Sequence, residues 1–187
     1  MCLAIYKPPG KDVAEANLKG GWQANPHGAG FAYVRNGKVE IEKEFMKLQD
    51  FLTAYEAAVK KNKKSPFLIH FRITSMGHSG PGNTHPFQIQ NGALIHNGTI
   101  YGTGATHGVG PSDTAKFAER YSTKLTFQSV EENKKELESA LSPNKVAILF
   151  NDGSHQIINE ATGYTIDGIW YSNNHFLHAA ERFRSTP

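Results

Sequence analysis

Residues 31–42 read FAYVRNGKVEIE. Two runs rich in β-branched and aromatic residues flank Asn36-Gly37, a dipeptide that accepts the positive φ angles of a tight type I′ turn. The stretch predicts a β-hairpin, and the device recurs along the chain. PFQIQNGALIH sets Asn91-Gly92 between two such runs, and KVAILFNDGSHQIIN sets Asp152-Gly153 there. YTIDGIWYSNNHFLHA offers a further pair of short strands. Short turns can join only antiparallel neighbours, because parallel ones need a long crossover. Residues 3–6 and 67–73 also read as strands. The second run is nearly continuous in apolar residues, which predicts burial on both faces.

Three segments carry helical signals. Leu48, Phe51, Leu52, Tyr55 and Val59 recur at spacings of three and four, predicting an amphipathic helix over 48–61. SDTAKFAERYSTKL begins at a cap residue, Ser112, with Asp113 in the first turn. SVEENKKELESAL offers a capping box, Ser129 with Glu132, with Leu137 and Leu141 on one face and Pro143 as the stop. Many hairpins with a few helices between them argue for an α+β fold with helices packed on sheet faces. Paired antiparallel sheets with helices outside is one natural layering of these elements.

The chain has 187 residues, enough for one domain spanning 1–187 with a full core. Its net charge of +3 carries no nucleic-acid or membrane message, and Lys60, Lys61, Lys63 and Lys64 read as a solvated helix end. A single cysteine permits no internal disulfide and suits a reducing compartment. MCLAIYKPPGK lacks a basic n-region and a long apolar run, so no signal peptide is expected. No stretch approaches about 20 apolar residues. The expectation is a cytoplasmic protein without a linker or internal repeat.

The one cysteine is Cys2, directly after Met1. Methionine aminopeptidases remove Met1 when the next residue is small, which would free the α-amine of Cys2. That amine, with a reference pKa of about 7.7–8.0, can take the proton of a thiol near 8.5. Nucleophile and base would then sit on one residue. The structural alternative is a small buried hydrophobe near a chain end.

The segment 69–87, IHFRITSMGHSGPGNTHPF, sets Arg72 in an otherwise apolar strand. A planar guanidinium can grip a carboxylate with two hydrogen bonds, or serve a structural ion pair. His70, His78 and His85 match no usual metal spacing, so neither a metal nor another cofactor is expected. In ALIHNGTI, an Asn97 amide beside the Gly98 backbone N–H can stabilise an oxyanion, or the pair can form a plain turn. GTGATHGVGP, residues 102–111, is rich in glycine and reads as a mobile connection, either a lid or a passive loop. Asp113, just beyond it, can cap a helix or receive an ammonium.

Taken in order, the Met-Cys start, NPHGAGFAY, HFRITSMG followed by THPF, IHNGTI and SDT resemble the glutaminase domain of class II glutamine amidotransferases. Those are N-terminal-nucleophile hydrolases, and the resemblance implies a four-layer αββα sandwich of antiparallel sheets. It implies Cys2 as nucleophile, Asn97 and Gly98 as the oxyanion hole, Arg72 on the glutamine α-carboxylate and Asp113 on its α-ammonium. Gly28 matches a glycine near the substrate site. The chain departs from some members at Met76, where they carry His, and at Gly102, where they carry Asn. These positions bear on loop closure rather than on the nucleophile. The implied substrate is glutamine or another γ-glutamyl amide. The implied partner is a separate ammonia-accepting synthase subunit, with neither a membrane nor nucleic acid bound directly. A free-standing amidohydrolase and a catalytically silent binding subunit are the rival readings.

Overall fold

In the computed structural model, which describes residues 1–184, β2 (Ala29–Arg35) and β3 (Lys38–Phe45) form the hairpin expected around Asn36-Gly37. Both turn residues have positive φ, 54° and 72°, as a type I′ turn requires. A second such turn, Asp167-Gly168 at 53° and 79°, joins β9 (Tyr164–Ile166) to β10 (Ile169–Tyr171). The other two turns differ from the sequence expectation. Between β5 (Phe87–Ile89) and β6 (Gly92–Asn97) the loop residues are Gln90 and Asn91, because Gly92 already pairs with Ile89. Gly92 is demanded by packing instead, since a Cβ there would stand 2.0 Å from the Leu149 carbonyl oxygen. Between β7 (Lys145–Phe150) and β8 (His155–Ile158) the loop is longer, and Ser154 N donates to Asp152 Oδ1 at 2.9 Å.

The strands form two antiparallel sheets. One runs β3-β2-β4-β1-β10-β9, with β1 (Leu3–Lys7) and β4 (Phe67–Phe71) near its centre; the other runs β5-β6-β7-β8. Side-chain alternation in β1 separates two cores. Leu3 and Ile5 face α1 (Glu15–Ala24), α2 (Leu48–Lys61) and α6 (Leu177–Arg184), meeting Leu18, Phe51, Tyr55 and Ala180. Ala4 and Tyr6 point the other way, into the layer shared with Ala93, Ile95, Ala147 and Leu149 of the second sheet. Leu94, Val146 and Ile148 then face outward onto α3 (Asp113–Tyr121), α4 (Phe127–Glu132) and α5 (Lys134–Leu141). The result is the four-layer αββα sandwich of antiparallel sheets. β4 is buried at every position, as its unbroken apolar run predicts. It ends at Phe71, so Arg72 lies just past the strand rather than within it.

Helix α2 has the expected bounds, and the Ser112 side chain caps α3 by accepting from Ala115 N at 3.2 Å. The capping box lies three residues earlier than the expected one: Thr126 and Ser129 cap each other's backbone, and the helical stretch breaks at Asn133 into α4 and α5. Helix α1 escapes a periodicity reading because Gly20 and Gly21 interrupt it. Those glycines permit close packing: a Cβ on Gly20 would stand 2.7 Å from Ala180 N in α6, and one on Gly21 2.7 Å from the Phe71 ring. Among the described residues no helix is long and apolar enough to cross a membrane.

Candidate active site

Pairing of Leu3 with Phe71 brings the chain beyond β4 alongside Cys2. The Cys2 thiol donates to Ile73 O at 3.3 Å and accepts from Ile73 N at 3.4 Å. On its other side Asn173 Nδ2 donates to Cys2 O at 2.8 Å, and Ala4 N donates to Ser172 Oγ at 3.0 Å. Cys2 is buried. Burial pushes its thiol pKa up, while the Ile73 backbone, the chain terminus and the Arg72 guanidinium pull it down. With Met1 in place the balance favours the protonated thiol.

Arg72 is buried, and burial works against its charge while Cys2 and Asp113 favour it. Its guanidinium donates to Met76 O at 2.9 Å and His78 O at 3.2 Å, curling residues 72–78 around itself. Asp113 opens α3, buried, with Oδ2 accepting from Ile100 N at 2.6 Å. Gly98 follows β6 with φ of 140°, and a Cβ there would overlap Asn144 Oδ1 at 2.0 Å. Only glycine allows the chain to turn at that point with Asn144 so close. Asn144 is fixed in turn by His96, whose Nε2 donates to Asn144 Oδ1 at 3.0 Å while Nδ1 accepts from Thr114 Oγ1 at 2.8 Å.

Two cavities meet at the thiol. Cys2, Arg72, Gly98 and Asp113 line an inner one, together with Ser75, Met76, His85 and His96. It measures about 10 Å³, room for roughly one water. Cys2, Asn97 and Gly98 line an outer cleft of about 480 Å³ with Met1, Tyr101 and Pro143. Four expected site residues therefore converge on one small space, and Asn97 lines the outer cleft beside it. Gly28 lines neither cavity. Its φ of +112° and the 2.6 Å approach of Thr84 Cγ2 to a hypothetical Cβ explain the glycine. Its carbonyl accepts from Arg72 N at 2.8 Å, so it supports the backbone of Arg72 from behind. Ser172, Asn173, Asn144 and His96 carry no such signal in sequence. A polar pair directly after a strand reads as a turn until β10 is found beside β1.

Among the described residues no group of three or more His, Cys, Asp or Glu is placed to hold a metal. His78 is exposed, whereas the His70 and His85 rings lie 3.8 Å apart at a tilt of 31° and share the buried interior with His96. His70 Nε2 donates to His96 O at 2.9 Å, and His85 Nδ1 accepts from His96 N at 3.3 Å. All three are neutral, because burial opposes their charged forms: His70 is lowered to about 3, and His85 and His96 are lowered too. Their folded pKa values lie below the unfolded value of about 6.5, so the unfolded chain binds more protons as pH falls. Their contribution to stability is fully present above pH 6.5 and is lost as pH falls below it. Each is expected to add a slope of up to about 1.4 kcal/mol per pH unit. Urea midpoints measured between pH 7.5 and 5 should fall steeply, and a flat profile would mean that these histidines take up protons as readily in the folded protein as in the unfolded chain.

The glycine-rich connection, residues 102–111, is largely exposed but tied to the 77–83 segment and to α3, where Lys116 Nζ donates to Gly104 O and Asn83 Nδ2 donates to Gly110 O. Gly77 N donates to Thr106 O at 3.0 Å, and His78 N donates to Gly110 O at 3.1 Å. It thus clasps the loop that Arg72 holds, while its own residues line neither cavity.

No protein-family model matches the chain. An uncharacterized protein of Methanocaldococcus jannaschii is 35% identical over 82 residues, covering 42% of this chain and 23% of that protein. Among solved structures, the allosteric regulatory enzyme of purine biosynthesis aligns with 97% of this chain at 16% identity, with a TM-score of 0.60. Glutamine phosphoribosylpyrophosphate amidotransferase from B. subtilis, complexed with ADP and GMP, aligns at 16% identity with a TM-score of 0.56. The chain covers 43% and 44% of those two chains, less than half their length. At this identity the likeness shows the fold: the described chain is built like part of a glutamine amidotransferase.

Proposed function

We propose that the chain hydrolyses the γ-amide of glutamine through a thioester on Cys2, releasing glutamate and ammonia. The observation that carries this reading is the convergence of Cys2, Arg72 and Asp113 on one cavity. Glutamine presents an electrophilic amide, a carboxylate and an ammonium, one for each of those groups. Loss of Met1 supplies the base. The freed α-amine takes the thiol proton, and the thiolate attacks the γ-carbonyl carbon. The C–N bond breaks, ammonia leaves with the proton returned by the amine, and water then cleaves the C–S bond to give glutamate. The inner cavity is smaller than glutamine, so binding requires its lining to open. Arg72 exchanges its contacts with Met76 and His78 for the substrate carboxylate. A separate synthase subunit is the proposed ammonia acceptor.

Gly98 N–H and the Asn97 side chain form the proposed oxyanion hole. Asn97 Nδ2 lies 2.9 Å from Ser172 Oγ, and Asn97 Oδ1 is buried without a partner. Ser172 Oγ already accepts from Ala4 N and from Asn173 Nδ2, and its own O–H remains to be donated. Turning the Asn97 amide by half a revolution gives that hydroxyl an acceptor and makes the unpartnered atom an N–H donor. The orphan then becomes a donor reserved for the oxyanion. Asn97→Ala is expected to lower kcat by roughly 10²–10³ with little change in KM. A loss confined to KM would make Asn97 a substrate-positioning residue instead.

The test of the function is the intact mass of the purified protein before and after treatment with a diazoketone analogue of glutamine. The expected result is loss of Met1 and a single adduct on Cys2. A chain that keeps Met1 and takes no adduct is a binding subunit without turnover.

A further inference from the structure

The outer cleft is far larger than ammonia needs. A water-sized leaving group occupies about 30 Å³ of liquid volume, whereas the cleft measures about 480 Å³. That size is in the range of pockets that enclose small organic ligands, about 300–1,000 Å³. Its relation to the inner cavity is directional. The two share Cys2, Ile73, Ser75 and Gly98, while Arg72 and Asp113 line only the inner one and Tyr101 and Pro143 only the outer one. A γ-glutamyl group gripped by Arg72 and Asp113, with its carbonyl carbon at Cys2, has its scissile nitrogen directed away from the inner cavity. Substituents on that nitrogen enter the outer cleft. Met1 lines the cleft, so its removal widens the space at the thiol. Tyr101 is 83% exposed, a large ring standing in solvent at the cleft wall.

Resting on the thioester reading above, we propose that the outer cleft is a leaving-group subsite, and that the chain hydrolyses N-substituted γ-glutamyl amides of apolar amines as well as glutamine. Cys2 attacks the γ-carbonyl carbon, and the C–N bond breaks. The amine departs carrying the proton held by the Cys2 α-ammonium. Water then cleaves the C–S bond, giving glutamate and the free thiol. The sum is amide plus water to carboxylate plus ammonium, with no other reactant. Tyr101 and Pro143 supply the apolar wall against which the amine substituent rests.

The test compares glutamine, γ-glutamyl methylamide and γ-glutamyl benzylamide on protein whose Met1 removal is verified by mass, reading glutamate release from each. The expected result is a kcat/KM for the benzylamide about 10-fold or more above that for the methylamide, the size of effect an apolar pocket gives. Tyr101→Ala should cut the benzylamide value about 10-fold and leave glutamine unchanged. Because Tyr101 is exposed, the variant keeps the fold, and circular dichroism verifies it. Turnover of glutamine with no preference for the benzylamide overturns the subsite while leaving the glutaminase reading standing. A preference that survives Tyr101→Ala also overturns the subsite as assigned. Release of glutamate from none of the three overturns both.

Discussion

Cys2→Ala is expected to reduce glutamate release from glutamine to background, a fall on the order of 10⁶ in kcat when a covalent nucleophile is removed. The fold should survive. Cys2 contributes little apolar volume, and the strand that follows it is held by Leu3 to Lys7 pairing with β4 and by Asn173 on the Cys2 carbonyl. The main-chain groups in those bonds persist in alanine. Circular dichroism and glutamate release measured on one preparation separate the two effects. A folded variant with undiminished release would remove Cys2 from the chemistry and return it to the role of a small buried side chain. Cys2→Ser is a useful companion, because a serine retains the α-amine and the shape while presenting a far weaker nucleophile.

Arg72→Lys carries the second large effect. A lysine delivers one point charge and cannot reproduce a two-pronged grip on a carboxylate. Truncating one partner of a buried, hydrogen-bonded charge pair costs about 2–5 kcal/mol. That corresponds to a rise of about 30- to 5,000-fold in KM for glutamine. 4-Aminobutanamide keeps the γ-amide and the ammonium but lacks the α-carboxylate, so the variant should treat it nearly as the wild type does. Arg72 also holds the carbonyls of Met76 and His78, and a lysine leaves at least one of them unpaired. Hydrogen bonds to a charged group contribute about 1.5–3 kcal/mol each, so a lower Tm is expected as well. An equal loss on both substrates would assign Arg72 to loop structure alone.

The hairpins β2–β3 and β9–β10, helix α2 and the cap of α3 follow from local sequence, because turn geometry, periodicity and capping act over a few residues. Helix α1 does not, since Gly20 and Gly21 read locally as breakers and make sense only once α6 and Phe71 press against them. Gly92 was legible as a turn residue, yet its reason is the Leu149 carbonyl on the neighbouring strand. The ordered motifs of Cys2, Arg72, Asn97-Gly98 and Asp113 were visible from the chain, each as a residue type suited to one part of an amide substrate. Their convergence was not, because it depends on β1 lying beside β4 in one sheet while β6 ends at the same place in the other. The supports Ser172, Asn173, Asn144 and His96 were invisible for the same reason: a polar side chain declares its role only through its partner. By itself the sequence determined which residues are candidates for the chemistry and that the sheets are antiparallel. The tertiary structure alone decided that Gly28 stands behind Arg72 rather than in the cavity, and that Cys2 faces a tight inner space on one side and a wide cleft on the other, since cavities are made by elements distant in sequence.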